Sequence, residues 1–354
     1  MESEEKANMG DVLFPILGQA PVAIAKMAAE SDWLDAGHDV EFRSLGVKSI
    51  LNKSVSKRLK WMVWSINPYR GCEFGCRYCY ARYTHEFMEL RDPEAFERKI
   101  FIKQNAAWLL EQELRRMEKR GTIHEEIALG TATDPWQPIE RRERVTRSLL
   151  EVMARRSGLQ LGVVTKSTLI ERDLDLLREI DAKSRLVIHL TITTPDVELA
   201  RKLEPRAPRP DLRMRTVRRF RAAGIRIGVL NSPLLPGITD TPEAIDAMAK
   251  WSAEAGASFF AAQPLFLKSC SRPTYFDFVK EHFPALENDY AERFRTMDFA
   301  SGPYRERLRA LVAASCRKYR LNERSRDTLL TRDAGDTKKP AQREPAAVQQ
   351  RLFA

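Results

Sequence analysis

The chain lacks any run of eighteen apolar residues, so no segment is expected to span a membrane. Its start, Met1-Glu2-Ser3-Glu4-Glu5-Lys6, has no apolar core, which argues against a secretory signal. Cysteine is scarce, five in 354 residues, and three of those share one short loop, so there is no disulfide framework. A second pair of closely spaced cysteines, the usual partner of a zinc knuckle, is also missing. No internal repeat recurs at a solenoid period. These absences leave an ordinary α/β chain of a reducing compartment, with the cytoplasm as the expected location. Its 43% hydrophobic content suffices for one large barrel or two smaller domains.

Charge is unbalanced: 59 Lys and Arg stand against 49 Asp and Glu, a net of +10. Basic runs cover residues 53–60 and 213–221. They read either as solvated faces or as contacts for a polyanion, and nucleic acid is one candidate partner.

The informative presence is the loop Gly71-Cys72-Glu73-Phe74-Gly75-Cys76-Arg77-Tyr78-Cys79-Tyr80. Its C-x3-C-x2-C spacing allows three thiolates to meet three irons of one 4Fe-4S cluster. Four-iron clusters ordinarily take four cysteines, and the next one along the chain is Cys270. An iron without a protein ligand is an open coordination position. Zinc with a distant fourth ligand, or a non-enzymatic iron–sulfur protein, are the competing readings of the same residues.

From residue 61 onward, short apolar runs alternate with helical stretches. Strands are expected at 61–66, 126–131, 159–166, 186–192, 225–231 and 258–263. Helices are expected near 93–120, 142–156 and 170–182, and after the fourth strand, where Glu204-Pro205-Arg206-Ala207-Pro208-Arg209-Pro210 interrupts the helix. Near-continuous apolar strands between helices mean parallel strands buried on both faces. This periodicity fits an open (β/α)6 barrel and a doubly wound sheet alike. Residues 1–60 are expected to pack across the barrel as an extension. Residues 61–270 would be the barrel and 271–332 a helical region, with helices near 275–283, 287–294 and 304–320. Residues 333–354 read as a disordered tail.

The cysteine loop resembles the signature of the radical S-adenosylmethionine (SAM) superfamily. Further similarity runs over about residues 48–267, carried by Gly130-Thr131-Ala132-Thr133-Asp134-Pro135-Trp136-Gln137, Thr165-Lys166-Ser167, Leu203-Glu204-Pro205-Arg206-Ala207-Pro208 and Ser232-Pro233-Leu234-Leu235-Pro236-Gly237. These resemble the spore photoproduct lyase-like branch, often labelled DNA repair photolyase-like. The resemblance implies a partial (β/α)6 TIM-type barrel with the chemistry at the C-terminal strand ends. It implies Cys72, Cys76 and Cys79 as ligands of a 4Fe-4S cluster, and SAM on the free iron. Reduction then yields a 5′-deoxyadenosyl radical that abstracts hydrogen from a substrate. Tyr78 would approach the adenine, Lys166 would meet the SAM carboxylate, and Thr133, Thr191 and Asn231 would line the same cofactor. A one-electron donor such as flavodoxin or ferredoxin is implied as partner.

One position departs from the branch. Where the lyase carries a hydrogen-donating cysteine, this chain has Thr131. A hydroxyl O–H is too strong a bond for that task. Tyr80 and Cys270 are the remaining donor candidates, with an inert loop thiol as the other reading of Cys270. The substrate is therefore either nucleic acid or a small molecule or peptide. Cys316 and His189 read as core residues, the histidine with its hydrogen bonds satisfied. Glu204 and Arg206 read as an ion pair at the barrel rim.

Overall fold

The computed structural model describes residues 23–37, 39–53 and 63–321. The tail expected at 333–354 lies outside them. Eleven strands occur among the described residues: β1 (Asp32–Gly37), β2 (Val40–Ser44), β3 (Leu51–Lys53), β4 (Trp64–Ile66), β5 (Tyr69–Arg70), β6 (Lys99–Ile102), β7 (Glu126–Leu129), β8 (Gln160–Thr165), β9 (Arg185–Thr191), β10 (Ile227–Leu234) and β11 (Phe260–Pro264).

The larger sheet has the order β11-β10-β9-β8-β7-β4-β3. Its six strands from β4 to β11 are parallel, and β3 adds antiparallel to β4 at one edge. Each strand in turn lies beside the one before it in this βα series, and the order never reverses. A doubly wound sheet needs such a reversal, so the monotonic order decides for the open, partial barrel. Periodicity alone could not make that distinction.

Strand residues alternate between two environments. On β9, Leu186, Ile188 and Leu190 join the main core with helix residues such as Leu149, Leu177 and Phe220. Val187 faces the other way, in a small cluster with Phe259 and Ala261. Helices cap cleanly where the sequence carries capping residues. Asp196 accepts from the backbone of Glu198 and Leu199, and Thr241 from that of Ala244, each before a helix.

One local expectation is corrected. The helix read over 93–120 is broken by β6, whose apolar run Ile100-Phe101-Ile102 is buried and pairs with β2 on one side and β5 on the other. Helix resumes at Ala106–Lys119. Within 23–53 there are two strands, β1 and β2, in a second sheet of order β1-β2-β6-β5, besides β3. Helices Arg272–His282, Glu287–Arg293 and Gly302–Lys318 follow the last barrel strand. The first two bring Tyr275, Phe278, Val279 and Tyr290 into a core shared with Cys72, Cys76 and Tyr78.

Candidate active site at the C-terminal ends of the strands

The cysteine loop leaves β5, two residues beyond the end of β4. Gly71 has φ +80°, and a Cβ there would lie 2.8 Å from the carbonyl oxygens of both Phe96 and Lys99, so only glycine fits. The turn is held from three sides. The Cys72 N–H donates to the Phe96 carbonyl (2.9 Å), and the Arg77 N–H to the Leu203 carbonyl (2.9 Å). From the segment after β7, the Thr133 hydroxyl donates to the Gly71 carbonyl (2.6 Å) and Gln137 to the same oxygen (3.2 Å). Glu73 accepts from the Ile139 N–H (2.7 Å).

All five cysteines are free thiols; Cys72 and Cys76 are buried and Cys79 is half-buried. Burial pushes all three loop thiols above the usual range, Cys76 to about 11 although Lys166 opposes this. Among the described residues, no three or more His, Cys, Asp or Glu side chains close on a single metal ion. A four-iron cube offers each thiolate a separate iron, and three free, neighbouring thiols on one buried turn are the donor set it takes.

Lys166 follows β8 and enters the site behind the loop. Its N–H donates to Asp134 (2.8 Å), and its Nζ reaches the Cys76 sulfur (3.1 Å), the Tyr78 hydroxyl (3.1 Å) and Glu204 Oε1 (3.4 Å). Burial would strip this amine of its proton, but Cys76, Glu204 and Tyr78 together hold it well above the ordinary lysine range. Tyr78 donates to Glu204 and shares a 3.0 Å hydrogen bond with Thr193. Glu204 also receives Thr193 (2.8 Å) and the Arg213 guanidinium (2.5 Å). Glu204 and Arg213 are each 1% exposed at the side chain.

This network corrects the rim ion pair. Glu204 pairs with Arg213 and Lys166, whereas Arg206 bonds the Glu73 carbonyl (3.3 Å). Arg213 had read as part of a solvated basic run; it is buried. Thr193 and Arg213 were missed as organisers of the site, and Glu204 was read only as an ion-pair residue of the rim. The signal for Glu204 was its place in a motif, but its partner lies nine residues on, in the next helix.

The remaining candidates fall as follows. Thr191 ends β9, and its carbonyl accepts from Arg213 (3.1 Å). Asn231 on β10 donates to the carbonyls of Ile192 (2.9 Å) and Thr193 (2.8 Å) and is buried. Tyr80 donates to the Thr131 carbonyl and keeps 38% of its surface exposed. Cys270 is half-buried in the turn Ser269–Ser271, where Ser271 donates to the Cys79 carbonyl (2.7 Å). Tyr80 follows Cys79 in the chain, and Cys270 precedes the serine that bonds the Cys79 carbonyl. Cys316 is buried in the core, against the Phe260 carbonyl (3.4 Å). His189 is fully buried with its ring 4.7 Å from that of Phe259, yet neither ring nitrogen has a hydrogen-bond partner among the described residues.

A loop of three cysteines at the mouth of a partial barrel calls for comparison with known families. Residues 66–251 match the model of the radical SAM superfamily. The chain belongs to that superfamily. Proteins Rv2578c of Mycobacterium tuberculosis and Mb2609c of Mycobacterium bovis are each 34% identical over 282 residues, covering 80% of this chain and 82% of theirs. Protein MJ0683 of Methanocaldococcus jannaschii is 26% identical over 201 residues, 57% of this chain and 70% of its own. Among solved structures, spore photoproduct lyase has the same fold at a TM-score of 0.58, with 14% identity, over 87% of this chain and 85% of that one. One such structure holds a dinucleoside spore photoproduct. The protein is therefore a radical SAM enzyme, and its fold is the partial TIM-like barrel of the superfamily.

Proposed function

We propose that the protein binds a 4Fe-4S cluster through Cys72, Cys76 and Cys79 and uses SAM to abstract hydrogen from a nucleic-acid substrate. When bound, the reduced cluster and SAM supply a 5′-deoxyadenosyl radical. The observation that carries the cofactor reading is Lys166, a half-buried ammonium group lying 3.1 Å from the Cys76 sulfur. It is a cation held at the strand ends, where an amino-acid carboxylate would be bound. Glu204 keeps Lys166 charged, and Arg213 keeps Glu204 ionised. Thr133 and Asn231 act through backbone: the first fixes the cysteine loop and the second fixes the segment after β9. Tyr78, with its ring 5.2 Å from Lys166 Nζ, forms the wall between loop and barrel on which an adenine would rest. Thr191 lines the same end of the barrel. The reductant would be a flavodoxin or ferredoxin, in a reducing cytoplasm.

Nucleic acid is favoured by an aromatic series beside Tyr80. Its ring neighbours Tyr83 (6.5 Å) and Phe266 (5.7 Å), with Phe87 beyond the first and Phe299 beyond the second. Lys268 lies over both Tyr83 (4.9 Å) and Phe266 (5.7 Å). Partly exposed rings interleaved with cations suit stacked bases and their phosphates. The second reading, a small molecule or peptide, is favoured by Thr131, which removes the hydrogen-donating thiol of the lyase. In either case Tyr80 and Cys270 are the hydrogen-relay candidates.

The test is SAM binding to the reduced, reconstituted protein, followed by its effect on the cluster's electron paramagnetic resonance spectrum. Lys166→Met is expected to weaken SAM binding by about tenfold or more, the worth of one charge-assisted contact. Unchanged SAM affinity in that variant removes Lys166 from the cofactor site. A single-stranded oligonucleotide is expected to raise SAM turnover. Absence of any effect across DNA and RNA favours the small-molecule reading.

A further inference from the structure

Several buried or half-buried cations in this protein come with carboxylates: Arg82 with Glu97, Arg213 and Lys166 with Glu204, Arg147 and Arg172 with Asp173. Lys103 and Arg70, on neighbouring segments beside the barrel mouth, do not. Lys103, 5% exposed, follows β6; its N–H donates to the Pro68 carbonyl (3.2 Å) and its Nζ to the Asn67 carbonyl (2.6 Å). Arg70 ends β5, half-buried, and faces Phe101 across the β5–β6 ladder. Its Nη1 donates to the Thr84 carbonyl (3.3 Å), while its Nε is buried without a partner. Neither cation has an ion pair among the described residues.

The ladder puts the two cations side by side: Arg70 pairs with Phe101, and Lys103, two residues beyond Phe101, donates its N–H to the Pro68 carbonyl. Burial first, then Arg70, lowers the Lys103 amine to about 7. The other ionisable groups acting on Arg70 or acted on by it are Tyr83 and His85, the latter also facing Arg82 and Lys99 and kept neutral by burial. None is an anion at neutral pH. Two like charges sharing a desolvated corner with only carbonyl oxygens are unfavourable until an anion joins them.

The corner adjoins the mouth. Asn67, whose carbonyl holds Lys103, donates through its side chain to the Thr131 hydroxyl (3.3 Å) and accepts from the Ala132 N–H (2.8 Å). The Thr131 carbonyl accepts from Tyr80. Anion and radical chemistry would therefore share one wall of the site.

We propose that Lys103 and Arg70 form a subsite for one phosphate-class oxyanion carried by the substrate. The guanidinium offers a fork and the ammonium a point charge, a pairing suited to phosphate oxygens. The anion is either a phosphodiester of a strand or the phosphate of a small molecule. The word substrate rests on the function proposed above; the anion site itself does not.

The experiment follows thermal stability and calorimetric binding of the purified full chain, at matched ionic strength, with inorganic phosphate, adenosine monophosphate and a single-stranded oligonucleotide as probes. Phosphate is expected to raise the melting temperature. Lys103→Met and Arg70→Gln are each expected to lose about tenfold in phosphate affinity. Without phosphate, Lys103→Met is expected to melt at or above the parent temperature, because an unpaired buried charge has gone. An oligonucleotide binding more tightly than the mononucleotide identifies a phosphodiester; the reverse order identifies a phosphorylated small molecule. No phosphate stabilisation of the parent, or stabilisation retained in both variants, overturns the subsite. If one variant does not fold, the other decides. Phosphate binding with no SAM cleavage would refute the proposed function and leave the subsite standing.

Discussion

Glu204 holds two cations, Lys166 and Arg213, and a tyrosine hydroxyl within one buried group. Such a group is stable only while every charge in it is matched. Glu204→Gln would leave Arg213 buried and uncompensated, and the expected loss is about 3–5 kcal/mol, read as a lower denaturation midpoint. A loss under about 1 kcal/mol would mean that the pair contributes little to stability. His189 gives a pH prediction. Burial lowers it from 6.5 to about 3, and His85 from 6.5 to about 4. The unfolded chain therefore binds more protons below 6.5. Stability should be complete above that pH and fall by about 1.4 kcal/mol per unit per group as pH drops toward 4. His189→Phe should flatten part of that slope; an unchanged slope would show that His189 is not the group responsible. At this scale the cysteine loop was legible from its spacing, and Lys166 and Tyr78 were pointed to by the family resemblance; the structure brings Lys166 against both Cys76 and Tyr78. The work of Thr133 and Asn231 was not legible, because their polar atoms bond backbone oxygens in the segments that follow β5 and β9. The empty hydrogen-bonding capacity of His189 was also hidden, since a histidine between apolar residues reads the same with or without a partner.

The elements were legible where apolar runs are bounded by turns. Six parallel strands appear within two or three residues of the expected ends, and the three C-terminal helices likewise. β6 was hidden because its three apolar residues sit between two helical segments that share its charged flanks. Its identity depends on pairing with β2 and β5, which is a tertiary fact. That pairing has a consequence for the cysteine loop, since the turn at Gly71 packs on the carbonyls of Phe96 and of Lys99, the first residue of β6. Gly71→Ala is expected to shift the loop and destabilise the protein by about 1–3 kcal/mol through a strained φ and a close contact. It should also lower iron content after reconstitution, measured as iron per chain. Full iron occupancy with unchanged stability would show that the turn is softer than its geometry implies.

For the whole molecule, composition set only the class. The strand order, each βα unit beside its predecessor, distinguishes the open barrel from a doubly wound sheet, and no single segment contains that information. The barrel gathers segments that follow its strands at one end, so that Thr133, Lys166, Leu203 and Leu235 meet around the cysteine loop. The excess of positive charge belongs to this scale too. If the substrate is nucleic acid, its affinity should fall steeply with salt, by about 0.7–0.9 in the logarithmic slope for each phosphate contacted. A salt-independent affinity would point to an uncharged ligand. The account stands or falls on radical formation. The direct measurement is 5′-deoxyadenosine produced anaerobically by the reconstituted, dithionite-reduced protein given SAM, with Cys76→Ala alongside. The account predicts product from the parent and none from the variant. A protein verified to hold a reduced four-iron cluster that binds SAM yet forms no 5′-deoxyadenosine, with or without nucleic acid, would contradict it.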